Sequence, residues 1–168
     1  YDKDSDEKIE LNEELLQNES MTGYTTIALF GLDSREDNLD RANSDTIILA
    51  NIDHDNKKID FVSVYRDTLL DTGDNSYRKC NAAYQKGGAS QAVSMLNQNL
   101  DLNIENYISV DFEAVMELVD ALDGVSLDLT AEELKVMSIY CDELSKLTGK
   151  KYAPLPGAAG TYTLDGIQ

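Results

Sequence analysis

Three short apolar segments in the first part of the chain do most to restrict its fold. Residues 26–30, 46–52 and 59–65 are rich in Ile, Val, Leu and Phe, and each is too short to be a typical helix. Such runs are typical of strands. Residues 53–57 have the Asp- and Asn-rich composition of a turn, so the last two strands are predicted to form a hairpin. The folded part of the chain therefore begins as a β-sheet.

Helical and extended patterns alternate after this sheet. Apolar residues repeat at helical spacing in three stretches, with short extended segments between them. Polar residues that can cap a helix mark where each of the three stretches begins. The predicted helix starts are Ser90, Asp111 and Thr130, and the predicted strands are residues 107–110 and 125–129. This order predicts an α/β (α+β) fold, with a mixed central β-sheet packed among α-helices.

Length and charge restrict the function as well as the fold. The 168 residues suffice for a single domain: residues 1–22 are predicted to form an acidic arm or helix, and residues 23–168 the domain itself. Residues 68–88 and 149–163 are expected to be loops. The net charge of −18 argues against a nucleic-acid binder and against adsorption to an anionic membrane, since both need a basic surface.

Arginine is confined to one part of the chain. All four arginines fall between residues 35 and 78, whereas lysine is scattered. The guanidinium group suits bidentate binding of phosphate, so the clustering indicates an anionic ligand. The four are Arg35, Arg41, Arg66 and Arg78.

Carboxylates accompany these arginines at the predicted strand ends. Asp33 follows the first strand, Asp45 precedes the second, and Arg66 follows the third. If the sheet aligns these ends, the side chains share one pocket that suits Mg²⁺ beside a substrate phosphate. The alternative is that they form structural ion pairs, and both interpretations stay open at this point.

The other reactive side chains exclude several kinds of catalysis. His54 is the single histidine and lies in the predicted hairpin turn, which argues against Ser-His-Asp and Cys-His catalysis. Cys80 and Cys141 have neither the spacing of a zinc site nor that of a Cys-x-x-Cys redox motif. They are either two separate buried thiols or a disulfide that closes a long loop.

From Tyr24 to Gln168 the sequence resembles the LytR-CpsA-Psr family. Each shared motif is unspecific alone, and the resemblance depends on their occurring in the family's order. The seven motifs are Gly31-Leu32-Asp33-Ser34-Arg35, Ser44-Asp45-Thr46-Ile47, Ser63-Val64-Tyr65-Arg66-Asp67-Thr68, Asn81-Ala82-Ala83-Tyr84 with Gly87-Gly88, Asp111-Phe112, Val119-Asp120-Ala121-Leu122-Asp123-Gly124-Val125 and Leu164-Asp165-Gly166-Ile167-Gln168.

The resemblance implies an activity and a place in the cell. Members of the family are membrane-anchored extracytoplasmic domains of mainly Gram-positive bacteria. They resemble phosphotransferases that move a glycopolymer, such as wall teichoic acid or capsule, from a polyprenyl-pyrophosphate carrier to peptidoglycan. A muramic acid hydroxyl attacks the sugar-linked phosphate, and polyprenyl phosphate leaves. The expected partners are thus a polyprenyl-pyrophosphate-linked glycan and peptidoglycan, with a membrane anchor in a segment absent from this chain.

The resemblance also assigns expected roles to individual residues. Asp33 and Asp45 are expected to hold Mg²⁺. Arg66 and Asp33 are the expected catalytic residues, with Asp33 a candidate base for the acceptor hydroxyl. Arg35, Arg41 and Arg66 are expected to bind the pyrophosphate. Mg²⁺ and arginine would neutralise charge on the pyrophosphate and on the leaving group.

The chain departs from the family's pattern in three places. Asn43 stands where arginine is usual, and Arg41 lies two residues earlier, a shift of roughly 6–7 Å along a strand. Tyr65 stands where proline is usual. The family's arginine-rich strand after the Leu-Asp-Gly-x-Gln motif is absent because the chain stops at Gln168. The chain is therefore expected to be inactive or incomplete as given.

An extracytoplasmic location, as the resemblance implies, favours a disulfide between Cys80 and Cys141, since disulfides persist in oxidising compartments. Two other functions stay open. One is a non-catalytic module that binds polyprenyl phosphate or wall glycan and takes part in envelope regulation. The other is an interaction domain that works through its acidic surface.

Overall fold

The computed structural model describes residues 8–12, 22–33, 42–73 and 75–168. The described residues form two compact units, one ending at Phe112 and one running from Glu113 to Gln168. No helix among them is long and apolar enough to cross a bilayer. In chain order the elements are β1 (Tyr24–Leu32), β2 (Ser44–Asp53), β3 (Lys58–Ser63), β4 (Leu69–Asp71), β5 (Tyr77–Lys79), α1 (Ala82–Leu100), β6 (Asn106–Val110), α2 (Phe112–Ala121), β7 (Val125–Leu129), α3 (Ala131–Thr148) and β8 (Gly160–Leu164).

A four-stranded mixed sheet with the order β3-β2-β1-β6 forms the centre of the first unit. β2 is antiparallel to both β1 and β3, whereas β6 is parallel to β1. The predicted β2–β3 hairpin is confirmed. In its turn the Asp53 carboxylate accepts hydrogen bonds from the backbone N–H groups of Asp55 and Asn56, at 3.1 and 2.9 Å. The predicted fold class, a mixed central sheet with helices, is likewise confirmed.

One face of this sheet packs against α1. Strand side chains alternate between the two faces, so every second residue of β1 and β2 points toward the helix. Phe30 and Ile47 are among them and are 0% and 2% exposed. Phe30 also meets the Tyr84 ring edge to face, with the ring centroids 5.4 Å apart. Burial of these side chains between sheet and helix is the main stabilising term of the unit.

The connection predicted over residues 68–88 is more ordered than expected. It contains the β4–β5 hairpin, and α1 begins at Ala82 rather than at Ser90. The reason lies in Gly87 and Gly88, whose backbone leaves the helical region (φ/ψ −155°/36° and 64°/−160°) and kinks the helix. The positive φ of Gly88 favours glycine. In the sequence, a glycine pair that kinks a helix looks the same as a glycine pair that precedes the start of a helix, so the start of α1 was predicted too late.

Residues 8–12 lie along α1 without regular secondary structure. Ile9 packs against the core, and the Glu10 N–H donates to Ser94 Oγ at 2.9 Å. The buried Asn97 amide donates to the carbonyl oxygens of Glu10 and Ile104, each at 3.0 Å, and accepts from the Ile104 N–H at 2.7 Å. One side chain therefore joins three segments of the chain. Most of the predicted arm, residues 1–7 and 13–21, lies outside the described residues, and the predicted domain limits stay a prediction.

The second unit combines α2 and α3 with the β7–β8 hairpin. The predicted capping box is confirmed: Thr130 Oγ1 accepts from the Glu133 N–H at 3.2 Å, and the Glu133 carboxylate accepts from the Thr130 N–H at 2.8 Å. β8 begins within residues 149–163, which were predicted to be a loop. Its short alternation follows a stretch rich in Gly and Pro, which hid it from the sequence pattern.

Gly166 permits a very close backbone approach in the second unit. A Cβ at Gly166 would lie 2.1 Å from the Met116 carbonyl oxygen of α2. Gly166→Ala is therefore expected to lower the free energy of unfolding by about 3 kcal/mol, because backbone rather than a flexible side chain must move. At Gly157 no atom lies within 4 Å of an added Cβ, so Gly157→Ala is the matched control. Equal denaturation midpoints for the two variants would contradict this account.

Candidate functional site

Three strand ends meet at one edge of the sheet, as the sequence predicted. β1 and β3 run in the same direction and β2 runs between them in the opposite one, so the ends of β1 and β3 lie beside the start of β2. The Asp33 N–H, just after β1, donates to the Asn43 carbonyl oxygen at 3.2 Å. Asp33, Asp45 and Arg66 are thus carried to the same edge by neighbouring strands.

A β-bulge sets the direction of Asp45. Gly31 pairs with Thr46 and Leu32 pairs with Ser44, so Asp45 is the extra residue between two paired positions. A bulge re-aims side chains, and bulges are frequent beside functional sites. Ser44 is 0% exposed and faces the core, whereas the Asp45 carboxylate is turned outward.

Arg66 forms a direct ion pair with the Asp45 carboxylate. Arg66 Nη1 lies 2.7 Å from Asp45 Oδ2, and the two side chains are 49% and 35% exposed. Arg66 Nε lies 3.9 Å from Asp67 Oδ2. A pair this exposed stabilises the fold by about 1 kcal/mol or less. Arg66 can therefore exchange a carboxylate for a phosphate at small cost, and its fork of N–H donors matches either anion.

Lys79 adds a second cation that sequence reasoning did not single out. Its Nζ lies 2.5 Å from Asp67 Oδ1, and the hydrogen bond from the ammonium lowers the pKa of Asp67. Lys79, Asp67, Arg66 and Asp45 thus form a row of alternating charge at this edge. The signal that could have found Lys79 is its position two residues before Asn81, the first residue of a shared motif.

β6 brings a further carboxylate to the same edge. β6 is parallel to β1 and Val110 pairs with Gly31, so Asp111 follows β6 where Asp33 follows β1. The sequence indicated a helix-capping role for Asp111 and placed it in one of the shared motifs, Asp111-Phe112, without assigning it to the charged edge. The parallel pairing of β1 with β6, which no local pattern shows, is what places it here.

Asp33 and Asp45 have the chemistry required to hold Mg²⁺. This ion is usually bound by one or two carboxylates together with water and substrate phosphates. Among the described residues, no group of three or more His, Cys, Asp or Glu side chains forms a metal site. A Mg²⁺ ion held by two carboxylates would complete its coordination with water or with substrate oxygens. Arg35 and Arg41 lie outside the described residues, and their predicted roles stay predictions.

The predicted disulfide between Cys80 and Cys141 is not formed. Both are free, buried cysteines, so the alternative of two separate thiols is the correct one. Cys80 Sγ donates to the Tyr65 carbonyl oxygen at 3.2 Å in the first unit, and Cys141 Sγ to the Ile167 carbonyl oxygen at 3.5 Å in the second. Burial raises the pKa of both thiols, which keeps them protonated and able to donate.

The folded chain is expected to react slowly with a maleimide at pH 7, because the thiolate is the reactive form and both thiols are buried and protonated. In denaturant without a reductant, mass spectrometry is expected to show two adducts. A chain that takes up maleimide only after treatment with a reductant would contradict the free-thiol assignment.

The fold and this edge define a class: a mixed α+β domain whose strand ends present guanidinium, ammonium and carboxylate groups at the surface. The chain belongs to the LytR_cpsA_psr family, whose sequence model matches residues 1–168. The family assignment, made first from seven short motifs, is thereby confirmed.

Three known proteins illustrate the similarity. The chain is 36% identical over 104 residues to the polyisoprenyl-teichoic acid–peptidoglycan teichoic acid transferase TagU of Halalkalibacterium halodurans, covering 61% of this chain and 34% of that protein. It is 27% identical over 144 residues to the transferase TagT of Bacillus subtilis, covering 84% and 42%. A structure of YwtF (TagT) with bound octaprenyl pyrophosphate lipid matches with a TM-score of 0.62 and 24% identity, over 86% of this chain and 54% of that one. The chain thus spans a third to about half of each relative's length.

Proposed function

We propose that this chain takes part in moving a glycopolymer from a polyprenyl-pyrophosphate carrier to peptidoglycan, as a phosphotransferase on the extracytoplasmic side of the membrane. The observation that carries the proposal is the exchangeable Arg66–Asp45 pair beside Asp33 at the sheet edge. The names of the relatives, which are teichoic acid transferases, support the reaction class. The same names support a location where cell-wall polymers are joined.

Arg66 and Lys79 supply the positive charge that the reaction needs. When a pyrophosphate group approaches, Arg66 exchanges Asp45 for phosphate oxygens, which it can bind through two parallel N–H groups. The acceptor hydroxyl then attacks the sugar-linked phosphorus, and the bond to the leaving polyprenyl phosphate breaks. The leaving group takes the electron pair, so negative charge grows beside the guanidinium and is stabilised there.

Asp33 and Asp45 are the residues proposed to hold Mg²⁺, which would neutralise charge on the pyrophosphate oxygens. The Asp33 side chain is exposed, so its carboxylate is also accessible to the proton of an acceptor hydroxyl. The carboxylates thus complement the cations: Arg66 and Lys79 bind the anion, and the aspartates serve the metal and the proton.

The sheet face opposite α1 suits the hydrocarbon part of such a carrier. Leu29 pairs with Ile108 and Ile48, so this face is apolar across three strands. Ile108 is 53% exposed, and Phe61 on β3 is 67% exposed. A prenyl chain lying on this face would gain roughly 0.8 kcal/mol for each CH₂ group buried. The charged edge and the apolar face therefore match a ligand with a pyrophosphate head and a lipid tail.

Replacement of Arg66 gives the direct test of this function. Arg66→Ala is expected to reduce the release of polyprenyl phosphate from a lipid-linked glycan by about 100-fold, because a group that stabilises the growing charge is lost. Arg78→Ala is the control, because it removes an exposed arginine of the same unit that hydrogen-bonds only Ser76 among the described residues. Its rate of polyprenyl phosphate release is expected to stay within about twofold of that of the parent chain.

The same pair of variants separates the enzyme from the binding module. Binding of polyprenyl pyrophosphate that depends on Arg66, without any transfer, would favour the non-catalytic module. Equal binding by the Arg66→Ala and Arg78→Ala variants would contradict both functions. Parallel thermal unfolding of the two variants shows whether the comparison reports on binding rather than on folding.

Asp45→Asn distinguishes a metal ligand from a structural ion pair. Without Mg²⁺, this variant is expected to bind inorganic pyrophosphate at least as tightly as the parent chain, because Arg66 no longer has to leave a carboxylate. With Mg²⁺, the parent chain is expected to gain at least about tenfold in affinity and the variant much less. Titration calorimetry with and without the ion measures both values. An equal gain in the two chains would remove Asp45 from the proposed metal site.

A further inference from the structure

A second polar site lies on α1, away from the charged edge. It is a groove of about 400 Å³ between the helix, residues 8–10 and Gly73, and it shares no residue with the Arg66 edge. Its volume falls within the usual range for small-ligand sites. We propose that this groove binds a neutral, hydroxyl-rich ligand with the size of one or two sugar rings.

The groove is lined by hydrogen-bonding groups rather than by apolar side chains. From α1 it receives the hydroxyls of Ser90 and Ser94 and the amides of Gln91 and Gln98. Hydroxyl and carboxamide groups both donate and accept, which is what the hydroxyls of a sugar require. None of the described residues that line it has an aliphatic or aromatic side chain, so these residues offer a lipid little to bury against.

The charges of the groove cancel. Lys8 and Glu10 lie two residues apart in a segment without regular secondary structure, and both line the groove, while Ile9 between them packs against the core. Among the described lining residues, one ammonium is matched by one carboxylate, and the Lys86 ammonium at the rim donates to the carbonyl oxygens of Thr72 and Gly73 at 3.3 and 3.4 Å. An anion such as pyrophosphate meets a carboxylate here instead of the two cations of the Arg66 edge. The class of ligand is therefore neutral.

Ser90 is the observation that most favours a ligand. It is only 6% exposed, its side chain lines the groove, and its hydroxyl has no hydrogen-bond partner within the described part of the chain. Its Oγ is not one of the fully buried atoms that lack a partner among the described residues, so this hydroxyl is open to the groove and available to a ligand. Serine inside a helix often bonds the carbonyl four residues earlier, as Ser138 does with Leu134 at 2.8 Å. For Ser90 the kink at Gly87 and Gly88 intervenes, so its hydroxyl is left for a ligand.

Gln91 is held in place before any ligand arrives. Its Nε2 donates to the Thr72 carbonyl oxygen at 2.8 Å. A Cβ added at Gly73 would lie 2.8 Å from Gln91 Nε2, and one added at Gly87 would lie 2.8 Å from Gln91 Cβ, so both glycines leave room for this side chain. A side chain already fixed in this way loses little conformational entropy when a ligand binds.

The test is an amide NMR titration of the 168-residue chain with two neutral disaccharides, cellobiose and N,N′-diacetylchitobiose. The expected result is a saturable shift at Ser90, Gln91 and Ser94, with Arg66 and Asp45 unmoved. Ser90→Ala is expected to weaken binding by about fivefold, because one hydrogen bond is lost. The variant should fold, because alanine is the strongest helix former and the hydroxyl it removes has no partner.

Gln85→Ala is the matched control, since Gln85 is exposed on the same helix and does not line the groove. Its affinity for the disaccharides should equal that of the parent chain. The absence of shifts with both sugars, equal binding by Ser90→Ala, or a stronger response of the groove to inorganic pyrophosphate would each overturn the proposal. Arg66→Ala should keep sugar binding, so failure of the transferase proposal and failure of this one are distinguishable.

Discussion

Between Gly31 and Leu32 the β1–β2 ladder accommodates one extra residue, Asp45, and the geometry of the charged edge follows from this bulge. With regular pairing, consecutive side chains of β2 would simply alternate between the two faces of the sheet. The bulge instead leaves Ser44 in the core and turns Asp45 outward to Arg66 at 2.7 Å. The position of Asp45 in the site is thus set by the backbone of the sheet.

The Arg66 turn is held from the other side by the junction of β5 and α1. The Asn81 N–H donates to the Arg66 carbonyl oxygen at 3.2 Å, and the Cys80 N–H donates to the Thr68 carbonyl oxygen at 2.9 Å. Cys80 is fully buried, and its thiol bonds the Tyr65 carbonyl oxygen. Cys80, which the sequence offers as a disulfide partner, therefore stabilises the loop that carries Arg66.

Much of the fold could be predicted from local patterns, and the failures share a cause. The first three strands, their hairpin and the capping box at Thr130 depend on residues close in sequence, which periodicity and capping rules detect. The sequence patterns do not show the β4–β5 hairpin and β8, because these strands are only three to five residues long. Most of their stabilisation comes from the partner strands, which local patterns do not include. The early start of α1 was missed because Gly87 and Gly88 adopt a kink that packing tolerates and propensity does not anticipate.

By itself, the sequence determined which chemical groups are present and near which strand ends they lie. Asp33, Asp45 and Arg66 could be assigned to a shared edge because each adjoins a short apolar run, and such runs pair in sheets. Only the tertiary structure decided the pairing of Asp45 with Arg66, the contribution of Lys79, the burial of the two thiols and the position of Ser90 in the groove. These features depend on strand register, on parallel pairing and on a helix kink. Each of them is set by contacts between residues distant in sequence, which no local pattern encodes.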